Sequence, residues 1–294
     1  MQVLRIHALS MQHNYLETNG IRLHYVTAGN GPLMIFLHGF PECWYSWRHQ
    51  IREFSKDFKT VAVDLRGYNK SDKPKAVSDY AISELVADIA GAIQALGYEK
   101  CILVGHDWGG VIAWAFAYAH PEMLDRLIVL NFPHPANYAK GLRTFQQLRR
   151  GWYILLFKLP VLPELLLKLN NYAGIRAIFK TPANNNPEAF TQPDVDKLTA
   201  AAAEPGALTG MMNYYRSIFR FKSFWNKKWD VLKIPTLIIW GEEDIALGKE
   251  LTYNTEEYVA NLEIHYIPNC SHWVQQERPE QVNKYMQAFL QPKT

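Results

Sequence analysis

The chain has 294 residues, 48% of them hydrophobic and 20% charged, enough for one large α/β domain with an insertion or for two small domains. A formal net charge of +3 without a dense Lys/Arg run argues against nucleic acid as a partner, and no uninterrupted apolar run reaches membrane-spanning length. Three scattered cysteines, Cys43, Cys101 and Cys270, argue against a disulfide framework and against a zinc site, and Cys101 and Cys270 read as core thiols.

Residues 1–12 contain no apolar stretch suited to a signal peptide, so a cytoplasmic protein is expected. Met11 could serve as an alternative start. Two strands, Tyr15–Glu17 and Ile21–Ala28, are joined by the hairpin signal Asn19-Gly20. Pro32–Leu37 is a continuous apolar strand that runs into His38-Gly39-Phe40-Pro41-Glu42. A glycine there lets the backbone turn and present the Phe40 N–H to a neighbouring strand end. Trp44–Phe54 has apolar residues at helical spacing. Lys59–Val63 is a buried strand, followed by a loop in which Arg66 is expected to form ion pairs beneath the site. Ile82–Leu96 reads as a helix closed by Gly97.

Lys100–Val104 is a strand, and Val111–Ala119 reads as a helix. Between them stands Gly105-His106-Asp107-Trp108-Gly109, the Gly-x-x-x-Gly frame of a nucleophile elbow with aspartate at its centre. The turn lifts one side chain above the sheet edge and leaves helix N–H groups, that of Trp108 first, free beside it. Leu124–Asn131 is a further strand. Strands alternating with helices in this way imply a mostly parallel sheet covered on both faces.

The alternation stops after Asn131-Phe132-Pro133-His134. To about Lys228 the segments are leucine-rich, alanine-rich and helical, which reads as a cap inserted into the sheet domain. The expected division is 1–133 for the first part of the core, 134–228 for the helical cap and 229–294 for the second part of the core. Trp152–Leu167, broken by Pro160 and Pro163, fits a membrane-surface segment or plain cap core, but Lys158 and Glu164 interrupt it and favour cap packing beside a substrate entrance. Thr181–Asp194 reads as a loop. The sheet resumes with Ile234–Trp240, ending in Gly241-Glu242-Glu243-Asp244, and with Leu262–Ile267, leading to Ser271-His272-Trp273. A helix over Pro279–Leu290 closes the chain.

Asp107, Asp244 and His272 occur in the order nucleophile, acid, base, each after a predicted strand. A carboxylate nucleophile has a specific use. On a saturated carbon, serine would form an ether that water does not release, whereas aspartate forms an alkyl ester. Water activated by His272 can attack the carbonyl on the enzyme's side of that ester, with Asp244 fixing the tautomer of the ring. The N–H groups of Phe40 and Trp108 are the candidate oxyanion donors. Glu42 follows the turn and could hydrogen-bond the hydrolytic water. His24, His49, His120, His134 and His265 read as structural.

His38-Gly39-Phe40-Pro41-Glu42, Trp44-Tyr45-Ser46-Trp47-Arg48, Gly105-His106-Asp107-Trp108-Gly109-Gly110 and Ser271-His272-Trp273 together resemble the soluble epoxide hydrolases of the α/β-hydrolase fold. The likeness extends over almost the whole chain after Asn14. It implies an α/β-hydrolase core with a helical cap, a small apolar epoxide as substrate, and no cofactor or metal. It also implies two cap tyrosines that hydrogen-bond the epoxide oxygen. Trp152-Tyr153-Ile154 matches the setting of the first, and Asn213-Tyr214-Tyr215-Arg216 that of the second, giving Tyr153 and Tyr215. Glu42 and His106 are carried over as water-positioning residues, and Trp108 as lining the substrate site.

Haloalkane and haloacetate dehalogenases share the aspartate nucleophile. Many of the former have an asparagine where Phe40 stands. Fluoroacetate dehalogenases carry arginines where Trp108 and Val111 stand. These departures favour epoxides. A ligand receptor on a hydrolase scaffold is the alternative from another class, and the intact triad speaks against it.

Overall fold

The computed structural model describes residues 11–180, 186, 188–218, 222–225 and 227–291. Its strands are β1 (Gln12–Thr18), β2 (Ile21–Ala28), β3 (Leu33–Leu37), β4 (Lys59–Val63), β5 (Cys101–His106), β6 (Leu124–Leu130), β7 (Thr236–Gly241) and β8 (Leu262–Ile267). They form one sheet in the order β1-β2-β4-β3-β5-β6-β7-β8. The β1–β2 and β2–β4 pairs are antiparallel, and the other five are parallel. Every residue of β3, β5 and β7 is buried, which is why these strands are continuous apolar runs rather than alternating ones. The Asn19-Gly20 turn has positive φ at both residues, as a two-residue hairpin of this hand requires.

Outside the insertion the helices lie close to the predicted places. Trp44–Trp47 forms a 3-10 turn before α1 (Arg48–Phe54), so the expected helix is divided. Next come α2 (Ile82–Ala95) and α3 (Trp108–Ala119), the latter beginning three residues before Val111. Helix α2 packs against α3 and β1.

The described residues between β6 and β7 contain helices and no strand that joins the sheet. These are α4 (Pro135–Gly141), α5 (Phe145–Arg150), α6 (Trp152–Phe157), α7 (Leu162–Phe179), α8 (Gln192–Ala203), α9 (Ala207–Ser217) and α10 (Lys222–Trp225). After the last strand, α11 (Val274–Glu277) and α12 (Pro279–Leu290) pack against α1.

Two expectations need correction here. The predicted loop Thr181–Asp194 overlaps α8. Residues 181–185 and 187 of it lie outside the described residues, but the helix begins at Gln192. Pro193 occupies its first turn, and Thr191 and Asp194 form a reciprocal capping box. A Pro-rich and Asn-rich composition hid a helix start. The second correction concerns Trp152–Leu167. Only part of it packs inward: Phe157 and Leu167 are buried, while Trp152, Leu155, Leu159, Leu162 and Leu165 are exposed. All three cysteines are buried and unpaired.

Beneath the insertion, the loop after β4 is fixed by a buried ion pair. Arg66 donates from Nε to Asp88 Oδ2 (2.7 Å) and from Nη2 to Oδ1 (2.5 Å). The Arg66 carbonyl accepts from the Tyr214 hydroxyl of α9 at 2.8 Å. Helix α9 comes so close that a Cβ on Gly210 would lie 2.4 Å from the Gly67 carbonyl oxygen. One loop thereby ties the core to the helix that carries Tyr215. Replacing Asp88 by Ala should leave the Arg66 guanidinium buried without its partner. We expect a loss of about 3–5 kcal/mol in chemical denaturation; an unchanged midpoint and slope would show the pair to be dispensable.

Candidate active site

Strand β5 ends at His106, and α3 begins at Trp108. Asp107 makes the turn between them with φ 50° and ψ −116°, outside the wells favoured by side-chain-bearing residues. Such a conformation costs on the order of 1–3 kcal/mol and persists only where the surroundings enforce it. Part of the enforcement comes from the loop after β3. A Cβ on Gly39 would lie 2.4 Å from both the Cβ and Oδ1 of Asp107, so only glycine lets that loop approach. The approach brings the Phe40 N–H to Asp107 Oδ1, where it donates at 2.8 Å. The Trp108 N–H heads α3, in the first turn, where N–H groups have no intrahelical acceptor.

The other carboxylate oxygen, Asp107 Oδ2, lies 3.6 Å from His272 Nε2. On the far side of the ring, His272 Nδ1 is 2.7 Å from Asp244 Oδ2. Asp244 follows β7 as the sequence implied, and its carboxylate is held by further donors. Oδ2 accepts from Asn131 Nδ2 at 2.7 Å; Oδ1 accepts from the N–H groups of Ala246 (2.7 Å) and Leu247 (2.9 Å). Asn131 Oδ1 in turn accepts from Gly241 N at 2.9 Å.

Asn131 is a member of the constellation that sequence reasoning missed. It appeared only as the last residue of a predicted strand. The available signal was a polar amide immediately after a buried strand at the sheet edge that carries the site.

The electrostatics follow from this packing. Burial works against a charged His272 ring, but the Asp244 and Asp107 carboxylates outweigh it and hold its pKa well above the ordinary 6.5. Burial likewise opposes the Asp107 carboxylate. The His272 ring, His106 and the Phe40 N–H prevail and keep its pKa below the ordinary 3.8. The arrangement favours an imidazolium held between two carboxylates.

Tyr153 of α6 and Tyr215 of α9 stand over Asp107 with ring centroids 6.2 Å apart. Burial pushes both hydroxyls well above the usual pKa of 10, helped at Tyr153 by Asp107 and Tyr138 and at Tyr215 by Tyr153 and Asp107, so they remain protonated donors. Both rings line two cavities that meet at Asp107. The larger, about 280 Å³, is walled by Phe40, Leu156, Phe157, His272 and Trp273. The smaller, about 30 Å³, is bounded by Trp108, Val111, Tyr138 and Trp225. The Trp108 ring meets the Tyr215 ring edge-on at 5.2 Å.

Glu42 and His106 sit differently from the expected water-facing arrangement. Glu42 is fully buried and accepts four hydrogen bonds, from Gly39 N (3.1 Å), His106 Nδ1 (2.9 Å), Gln275 Nε2 (3.1 Å) and Gln276 Nε2 (2.7 Å). Four donors fill the lone pairs of a carboxylate. His106 Nε2 lies 2.8 Å from the His272 carbonyl oxygen. The pair therefore braces the loop that carries His272. Among the described residues, no group of three or more His, Cys, Asp and Glu side chains is arranged to hold a metal ion.

The chain matches the family described as alpha/beta hydrolase fold over residues 32–279. Epoxide hydrolase 3 of Xenopus tropicalis is 44% identical over 288 residues, which span 95% of this chain and 78% of that protein. Epoxide hydrolase 4 of Mus musculus is 42% identical over 286 residues, spanning 95% and 79% of the two chains. Among solved structures, an epoxide hydrolase of Bacillus megaterium in complex with an inhibitor superposes with a TM-score of 0.88 at 40% identity. That match covers 94% of this chain and 99% of the other.

The ion-paired histidine has a consequence for stability. Its folded pKa lies above the unfolded value near 6.5, so its contribution is complete below that pH and is lost as the pH rises through the folded value. The gap in thermal midpoint between wild type and His272→Gln should be widest on the acid side of neutrality and narrow at alkaline pH. A gap that widened with rising pH would contradict the ion pair.

Proposed function

The chain belongs to the epoxide hydrolases of the α/β-hydrolase fold, and on that footing we propose that it adds water to an epoxide to give a vicinal diol. The observation that carries this reading is an elbow carboxylate facing two protonated tyrosines across one apolar cavity. Residues 134–228 act as the cap that brings the tyrosines to the core.

In the first step Asp107 Oδ2 attacks one epoxide carbon, and the carbon–oxygen bond of the ring breaks. The departing alkoxide is a poor leaving group, so hydrogen bonds from Tyr153 and Tyr215 offset its developing charge. Ester formation removes one of the negative charges that held the proton on His272. The ring can then release that proton, and the balance closes when it reaches the alkoxide.

In the second step neutral His272 takes a proton from water as the water attacks Asp107 Cγ. The charge that develops on Oδ1 is met by the Phe40 N–H, already in place at 2.8 Å, and by the Trp108 N–H. Collapse breaks the Asp107–alkyl oxygen bond, and the departing alkoxide takes the second proton of the attacking water, which frees the diol and restores the carboxylate beside protonated His272. Asp244 keeps the ring oriented, and Asn131 keeps Asp244 oriented. Glu42 and His106 set the position of the His272 loop. The unequal cavities suit an apolar epoxide with most of its bulk on one side of the ring.

Dehalogenation would use the same carboxylate, but halide leaves without help from a tyrosine pair. Incubation with styrene oxide, stilbene oxide, a bromoalkane and fluoroacetate, followed by assays for diol and halide, separates the two. We expect diol from an epoxide. Replacing both Tyr153 and Tyr215 by Phe should slow ring opening by at least about 10²–10⁴-fold. Halide release without any diol would overturn the reading; undiminished epoxide turnover in the double variant would remove the tyrosines from it.

A further inference from the structure

Fifteen large hydrophobic side chains are exposed among the described residues, and eleven of them fall within residues 142–169. They recur every three or four positions through α5, α6 and the first half of α7, so each helix shows one apolar stripe outward. In α7 the stripe is Leu162, Leu165 and Leu166, with Leu169 exposed where the backbone leaves helical geometry at 169–172, while Pro163, Glu164 and Leu167 are buried. Phe145 is 82% exposed, Leu155 66% and Trp152 63%. Helices α5, α6 and α7 contact one another in sequence, which joins the stripes into one face. Together these side chains present on the order of 1,000 Å² of apolar surface, against a few hundred for the largest patch of an ordinary soluble monomer.

Charge identifies what covers this face. Residues 140–169 carry six basic side chains, Lys140, Arg143, Arg149, Arg150, Lys158 and Lys168, and one acidic side chain, Glu164. Glu164 is buried and paired with Arg216 at 2.9 Å. Arg150 faces Glu250 and Lys140 faces Glu257 of the core, and Arg143, Arg149 and Lys168 leave the face with a basic excess. A second copy of the chain would bring the same cations against themselves. Anionic lipid headgroups over an apolar phase complement both features. No described helix is long and apolar enough to cross a membrane, so the contact is lateral.

Trp152 connects the face to the chemistry, because it is exposed there and also lines the larger cavity. An indole suits the boundary between headgroups and acyl chains. We propose that the α5–α7 face seats on an anionic bilayer surface and admits apolar epoxides to the cavity from the lipid phase. The admission of substrate rests on the reading of the cavity given above, whereas the seating does not.

Co-sedimentation with phosphatidylcholine vesicles, with and without phosphatidylglycerol, tests the seating in the absence of substrate. We expect binding that requires the anionic lipid and weakens with salt. Leu165→Asp with Leu169→Asp should weaken it by at least about 100-fold, leaving kcat/KM on a water-soluble epoxide unchanged, since neither residue lines the cavity. Arg149→Glu with Lys168→Glu keeps every leucine and should weaken binding by at least about tenfold, which carries the test if the leucine variant fails to fold. Absence of vesicle binding by the wild type at low salt would overturn the proposal. So would a dimer in analytical ultracentrifugation that the leucine substitutions dissolve. A protein that binds vesicles but makes no diol would overturn only the catalytic reading.

Discussion

A carboxylate removed from water keeps its charge only if its surroundings replace the lost solvation. The Asp107 side chain meets this condition through two contacts, the Phe40 N–H at one oxygen and the His272 ring at the other. Much of the architecture serves these two contacts. The parallel centre of the sheet brings the ends of β3, β5, β6, β7 and β8 to one edge. Gly39 allows the β3 loop to close on the elbow, and Asn131, after β6, holds the Asp244 carboxylate that steadies His272. The strained backbone of Asp107 is supported by these same neighbours.

On the proposed reading, this electrostatic arrangement also orders the chemistry in time. While Asp107 is ionised, the histidine between two carboxylates retains its proton and is no base. Once the carboxylate becomes an ester, one of the two charges is gone and the ring becomes able to accept a proton from water. The nucleophile thus governs the base, and no separate switch is required. The tyrosines complete the site from above because α9 is bound to the loop after β4 through Tyr214, one residue from Tyr215. The Tyr214 ring also packs against Tyr68, Tyr80 and Trp108, so α9 meets the sheet domain through several buried contacts.

The elbow and the triad are legible in the sequence because each member follows a run of β-forming residues, apolar and fully buried in β5 and β7 and half-buried in β8. The two tyrosines became legible through family resemblance, since a tyrosine among leucines has no local signature. Asn131 and the Gln275–Gln276 pair escaped notice because their role lies in contacts across long sequence separations. The composition of the insertion marks it as helical but does not show which of its faces are buried. Trp152–Leu167 is apolar apart from Lys158 and Glu164, a composition that fits cap packing, plain core and a membrane surface alike. Its outward stripe is visible only once α6 and α7 are set against α9. The start of α8 was obscured by proline and asparagine residues whose capping function shows only in three dimensions.

The claim on which the account turns is that Asp107 bonds to the substrate carbon and is then released by attack on its own carbonyl. A single turnover with enzyme in excess, in water enriched in heavy oxygen, tests it directly by mass spectrometry of both the diol and the peptide containing Asp107. The account predicts that the label enters the Asp107 carboxylate while the first diol formed carries none from the solvent. Label in that first diol, with an unlabelled peptide, would contradict it.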